Sequence, residues 1–422
     1  MLSHKTCLAA LLAALLLFCG CKKDEPLPTI EIAPGPSAQT ALQNAIDELC
    51  REGGGTIQLM RWENTPATTY YLNAPIEINQ CENVKIQGSQ WGSVWRFDST
   101  LTETGILITE SENIQISNIN AYSALDLGVH IQDAANLTFE NFSISGLDDS
   151  WGSFDSTELN NGCHAERVEN LQFLNCRLTA NARYGLQLDG CQRVVVDRSQ
   201  IGGIKAAFRV RNSQNVQVSN TDCIGYSGLC ALAYTDPAYS SSSTANLRFQ
   251  ECEFVSVLAY YNLQDNHPFE GINLRDEQSL LLLGVQNVEL IDNWVDDRQQ
   301  QFVHMASLQT VRAAQEEAGV ATPIDYSNIA NPHTEQILFV GNNCRELGKV
   351  YAGYDSTAFL KNQFPRGLEA NVLWDGLTQN TTSPVLCFGE GNVEMALGVL
   401  NKPELSVEDY RCNTSFVGEI NP

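Results

Sequence analysis

GILITESENIQISN (105–118), GVHIQDAANLTFEN (128–141), GCHAERVENLQFLN (162–175) and GLQLDGCQRVVVDR (185–198) repeat one pattern. Each opens on Gly-Φ-x-Φ, where Φ is apolar, and eight residues later meets Asn-Φ-x-Φ, with Arg193 in the asparagine's place in the fourth copy. Working outward, Asn-Φ-x-Φ recurs at Asn83, Asn113, Asn136, Asn170, Asn215, Asn246 and Asn287. With Arg193 included, the intervals are 30, 23, 34, 23, 22, 31 and 41 residues, a base period of 22–23 with insertions. Alternating apolar runs this short read as strands, and none can bury a face alone. Stacking on the next copy buries it, so the chain reads as an all-β solenoid. Eight residues after each motif start, Ile144, Leu178, Ile201, Cys223, Phe254 and Val295 form a further expected inward stack.

The N-terminal end adds a second signal. In AQTALQNAIDELCREGGG (38–55), Leu42, Ala45, Ile46 and Leu49 fall at helical spacing, and Gly53 to Gly55 stop the helix. TIQL and, after a loop, TYYLNAPIEI follow as short strands. Together with the repeat, this helix-to-strand entry resembles the N-terminal cap of the pectin-lyase-like, right-handed parallel β-helix superfamily. Asn118, Asn141, Asn175 and Asn220, five residues after their motif starts, resemble the asparagine ladder of that fold. A leucine-rich repeat would need LxxLxL with outer helices, which is absent. The resemblance implies a solenoid over 38–297, including the cap. Residues 298–422 are expected to hold an amphipathic helix near 298–318 (Phe302, Met305, Leu308, Val311), a last irregular rung and a C-terminal cap.

Residues 1–20 read as a sorting signal, because His4 and Lys5 precede the apolar run LAALLAALLLF, too short to span a bilayer. The run ends in F-C-G-C, which resembles the lipobox of bacterial lipoproteins and implies lipidation of Cys21. K-K-D-E-P (22–26) resembles the export tag of Bacteroides-type surface lipoproteins, and 21–37 reads as a tether. The expected location is the cell surface or periplasm, held to the outer membrane by lipid alone. Fifty acidic against 25 basic residues give a net charge of −25, which argues against nucleic acid as a partner. The 14 cysteines form no CxxC pair and no zinc spacing. Most at repeat positions are expected as small buried hydrophobes, while Cys50 and Cys81 are the pair expected to bridge.

Alternation along the Gly-Φ-x-Φ strand turns His130, Gln132, His164, Glu166, Gln187, Asp189, Arg209, Arg211, Asn273 and Arg275 outward as one polar stripe. The insertion LDDSWGSFDSTELNN (147–161) borders it with Asp148, Asp149 and Trp151. The resemblance implies a polysaccharide cleft there, walled by such loops, with Trp151 stacking on sugar. Between Arg177 and Arg211 lie seven basic and two acidic residues, a local reversal of charge that favours an anionic ligand.

Three functions fit these residues. A polysaccharide lyase would neutralise a uronate carboxylate with Arg209 and Arg211, move protons with His164 or Tyr184, and hold calcium between Glu166 and Asp189. A glycoside hydrolase would use Glu166 and Asp189 as its two carboxylates. The Asn-Thr-Asp, Gly-His-Gly and Arg-Ile-Lys signatures of polygalacturonase-type hydrolases are absent. A non-catalytic, glycan-binding or structural surface protein is the third. Cleavage of an anionic polysaccharide by a monomeric protein is the preferred expectation, with His130, Trp151, Tyr184, Gln187, Lys205, Asn273 and Arg275 binding substrate.

Overall fold

The computed structural model describes residues 27–388 except 63–66, 90–91, 99–103, 124–126, 147–160, 180–182, 227–228, 257–268, 270–277, 297–300, 341, 345–349, 354–355, 361–371 and 375–384. Every strand pairing among the described residues is parallel and joins one copy of the repeat to the next, so the chain coils as a β-helix. Each coil passes through three faces. The Gly-Φ-x-Φ strands make the first sheet, from Ile76–Asn79 through Asn161–Glu166, Tyr184–Asp189 and Ala206–Arg211 to Val372–Trp374. The Asn-Φ-x-Φ strands, such as Glu169–Leu174 and Gln192–Asp197, make the second. Short strands such as Arg177–Leu178 and Gln200–Gly203 make the third.

The corners explain the asparagines. Asn118, Asn141, Asn175 and Asn220 all have positive φ, a left-handed backbone that asparagine tolerates. Asn141 Nδ2 donates to Asn118 Oδ1 at 3.1 Å and Asn175 Nδ2 to Asn141 Oδ1 at 2.6 Å. A second ladder, not anticipated, runs through the motif-start asparagines, where Asn113 donates to Asn83, Asn170 to Asn136 and Asn287 to Asn246. These residues also have positive φ, which is why the motif begins with asparagine.

Inside, pairs such as Val129 and Ile131, Leu186 and Leu188, and Phe208 and Val210 are buried. Ile144, Leu178, Ile201, Cys223, Phe254 and Val295 stack in successive register. The Cys50–Cys81 bridge is present, with Cα atoms 4.6 Å apart, and ties the cap helix to the first coils. Cys163, Cys176, Cys191, Cys223, Cys230 and Cys252 are free and buried.

Helix α1 (Ala38–Glu52) buries Leu42, Ala45, Ile46 and Leu49 and ends on Gly53 at φ 85°. Three boundaries differ from the sequence expectation. Thr29–Ile32 is a strand paired with Gly55–Leu59, not part of the tether, because its alternation buries Ile32. Gln301–Ala306 is also a strand, so helix α2 spans Leu308–Glu317 only, starting at Ser307, whose hydroxyl accepts from Thr310 N. Met305 is buried as a strand residue. Nor does the ladder stop at 297, since Glu335–Val340, Ser356–Leu360 and Val385–Phe388 continue the second sheet. Their second-sheet strands carry Gln336, Ser356 and Val385 where the motif has asparagine, which hid them.

Candidate functional site

Strand pairing lines up His130, His164, Gln187 and Arg209 in one outward column of the first sheet. Gln132, Glu166, Asp189 and Arg211 form the column beside it. Successive rungs of a parallel sheet lie about 4.8 Å apart, so these side chains reach one another along and across the columns.

Asp189 is the hub. Its residue is 0% exposed, yet both carboxylate oxygens are engaged. Arg211 donates from Nε to Oδ1 and from Nη2 to Oδ2, both at 2.9 Å. His164 Nε2 lies 2.9 Å from Oδ2, and Gln187 Nε2 donates to the same oxygen at 2.7 Å. Burial by itself would raise the Asp189 pKa; the His164 hydrogen bond and the charges of Arg209 and Arg211 outweigh it and bring it down to about 2. The carboxylate is therefore ionised; where His164 Nε2 donates to it, Nδ1 is the ring nitrogen left to take a proton, and Gln187 Nε2 also lies 3.0 Å from that Nε2. His130 stacks on this ring with centroids 5.3 Å apart and planes 11° from parallel. Its own pKa is lowered, first by burial and then by His164.

Around the hub, Arg209 donates from Nε and Nη2 to the Tyr234 hydroxyl at 3.0 and 2.6 Å, leaving Nη1 without a partner among the described residues. The Arg211 guanidinium lies 4.1 Å from the ring centre of Tyr239. Tyr239 Oη in turn lies 3.4 Å from Glu166 Oε1. Glu166 pairs with Arg167, which also holds Asp133.

Several expected roles do not survive this geometry. Asp189 cannot serve as a nucleophile or acid, because it is buried and locked. Nor do Glu166 and Asp189 fit calcium: each already holds a guanidinium, and a cation would have to displace both. Among the described residues, no group of three or more His, Cys, Asp or Glu side chains is arranged to hold a metal. Tyr184 is buried in an apolar cluster with Leu229, Leu232 and Tyr234, where it supports Arg209 at 5.5 Å from its ring centre, and so is not placed to move protons. Lys205 is only 7% exposed, too enclosed to grip a polymer.

Beyond Arg209 and Arg211 the first sheet pairs on to Leu232 and Tyr234, and these to Leu281 and Leu283. The outer face turns apolar there and is covered by Val311 of α2, Phe269 and Ile324. Asn273, Arg275, Trp151, Asp148 and Asp149 lie outside the described residues. The register itself held the clue, because counting seven residues back from Asn287 gives Leu280. Tyr239 and Asp236, whose carboxylate lies 3.5 Å from Arg211 Nη1, were missed as well, although the 31-residue interval from Asn215 to Asn246 marked an insertion there.

A family described as "Right handed beta helix region" matches residues 104–314, half of the chain. This chain belongs to the right-handed β-helix family. The fold is shared with an endo-xylogalacturonan hydrolase from Aspergillus tubingensis at TM-score 0.56 and 13% identity, covering 86% of this chain and 99% of that one. It is shared too with a polygalacturonase from Erwinia carotovora ssp. carotovora at TM-score 0.52 and 9% identity, covering 86% and 98%. No curated protein matches in sequence. At these identities the likeness concerns architecture, and function rests on the site.

Proposed function

We propose that this β-helix binds an anionic, uronate-containing polysaccharide along the polar stripe and cleaves it by β-elimination. The observation that carries the reading is the buried, ionised Asp189, which pins His164 Nε2 and orients Arg211. His164 Nδ1 takes the C5 proton of the uronate, the C4–C5 double bond forms, and the C4–O bond breaks. The imidazolium, stabilised by Asp189, returns a proton to the leaving oxygen. Arg209, through Nη1, neutralises the carboxylate whose charge grows as C5 loses its proton. The hydrolase alternative through Glu166 and Asp189 is disfavoured, because it needs two carboxylates at the bond and Asp189 is sealed.

The test offers pectic, alginate-type and glycosaminoglycan chains and follows ultraviolet absorbance alongside reducing ends. β-Elimination makes an unsaturated uronate that absorbs, whereas hydrolysis does not. Arg209→Ala is expected to lower the absorbance rate by about 10²–10³-fold, as loss of one charge-stabilising donor does. Reducing ends without absorbance would replace the lyase reading by a hydrolase, and binding without either signal by a non-catalytic receptor.

The same proposal places the protein at the outer membrane through a lipid on Cys21, which lies outside the described residues. Among those residues no helix is long and apolar enough to cross a bilayer. Cys21→Ser is expected to move the protein from the membrane fraction to the soluble fraction. Unchanged membrane association would rule the anchor out.

A further inference from the structure

The third sheet carries an outward polar surface that the stripe does not use. Strand pairing places Asn120, Ser143 and Arg177 in one column and Arg96, Tyr122 and Ser145 in its neighbour. Against them lies an open groove of about 340 Å³, whose lining also includes Asn141 and Asn175 of the corner ladder. Inward neighbours Ile119, Ala121, Phe142 and Ile144 are buried in the core, so the strands under the groove are fixed.

Unused hydrogen-bonding groups face this groove. Ser143 Oγ donates to Asn120 Oδ1 at 2.7 Å, which leaves the Asn120 amide hydrogens for another acceptor. Asn175 donates to Asn141, and its own Oδ1 accepts nothing among the described residues. The Arg177 side chain is exposed and makes no ion pair or hydrogen bond among those residues. Tyr122 is 38% exposed, and Tyr71, on the far side of Arg96 in the same column, is 66% exposed. A half-exposed ring beside amides, hydroxyls and a guanidinium suits a sugar, which offers an apolar C–H face and a rim of hydroxyls.

Charge narrows the ligand. Among the described residues no carboxylate lines the groove; Arg177 lines it and Arg96 lies next to Tyr122 in the adjoining column, on a chain of net charge −25. The nearest acid on the Arg177 column, Asp222, lies beyond Gln200, whose amide it accepts at 3.4 Å. A strongly acidic protein repels polyanions in general, so a groove lined by arginine and by no carboxylate among the described residues selects locally for them.

We propose that this groove is a second binding site, for an acidic sugar chain, on a different face from the stripe and without a part in cleavage. It would hold polymer on the protein while the stripe acts, raising the local concentration of chain ends.

The experiment uses Arg209→Ala protein, which weakens the stripe, and titrates it calorimetrically with galacturonate, alginate and glucuronate oligosaccharides, with neutral xylan oligosaccharides as control. Binding of at least one acidic set is expected, with affinity falling as salt rises. In that background, Arg177→Ala and Tyr122→Ala should each weaken binding by about tenfold, the usual worth of a charged hydrogen bond or a central aromatic contact. Placed in the wild-type chain, neither should change the rate of cleavage of short oligosaccharides, whereas Arg209→Ala should. Binding unaffected by both groove substitutions, or no binding of any acidic oligosaccharide to the Arg209→Ala protein, would overturn the groove. A cleavage rate that falls with Tyr122→Ala would overturn its separation from the stripe. Absence of cleavage in the wild type, with binding lost in the groove variants, would sink the lyase reading and leave the groove standing.

Discussion

Asp189→Ala is expected to destabilise the fold by about 3–5 kcal/mol, because it removes the buried partner of an ion pair and leaves the Arg211 guanidinium underpaired. Arg211 would lose both of its 2.9 Å hydrogen bonds in a partly buried position and keep the looser 3.5 Å contact with Asp236, and His164 would lose the carboxylate beside Nε2. Urea unfolding of the variant and the wild type reads the first effect; the ultraviolet assay reads the second, as near-complete loss of turnover. Asp189→Asn keeps the shape and removes the charge, so it should retain part of the stability and little of the activity. A variant as stable and as active as the wild type would show that Asp189 is not the hub.

The same carboxylate sets a pH dependence. Its folded pKa of about 2 lies below the ordinary aspartate value, so the stabilisation is fully present above about pH 4 and is lost as pH falls toward 2. The difference corresponds to about 2 kcal/mol. Wild-type stability should therefore decline over that window more steeply than that of Asp189→Asn, which has no such proton to bind.

Phe173→Ala should cost about 3–5 kcal/mol by leaving a cavity that the stacked coils cannot collapse to fill. Phe173 is fully buried and stacks on Phe139 of the preceding coil, with ring centres 5.0 Å apart and planes 15° from parallel. The backbone around it is pinned above and below by parallel pairing with Phe139 and Val196. Phe139→Ala, which empties the same stack from the other side, should cost as much, and the double variant less than the sum. A loss below about 1 kcal/mol in either single variant would be outside the range for buried phenylalanine and would contradict the stacking.

How much of this was legible depended on how local each signal was. Strand alternation put His164, Glu166, Gln187, Asp189, Arg209 and Arg211 on one face, and the pairing agrees residue for residue. What alternation could not tell was depth. An outward position is normally wet, but Asp189 is sealed by His164, Gln187 and Arg211 closing over it, with Tyr239 folding back from an insertion fifty residues on. That turned a presumed catalytic acid or calcium ligand into a buried anchor. Gly271 misled in the opposite way: GINL matches the motif in composition, whereas the first sheet continues through Ala231–Tyr234 and Gln278–Leu283, which carry no such glycine.

The sequence by itself determined the parallel coil, its inward stacks and its asparagine corners, because a strand's facing and a left-handed turn are set by residues within a few positions of each other. Only the tertiary structure decided which outward residues are accessible, where the stripe gives way to an apolar covered layer, and that a second groove opens on the third sheet. Those features arise where insertions and successive coils meet, between residues tens of positions apart, and no short-range pattern records the distance between them.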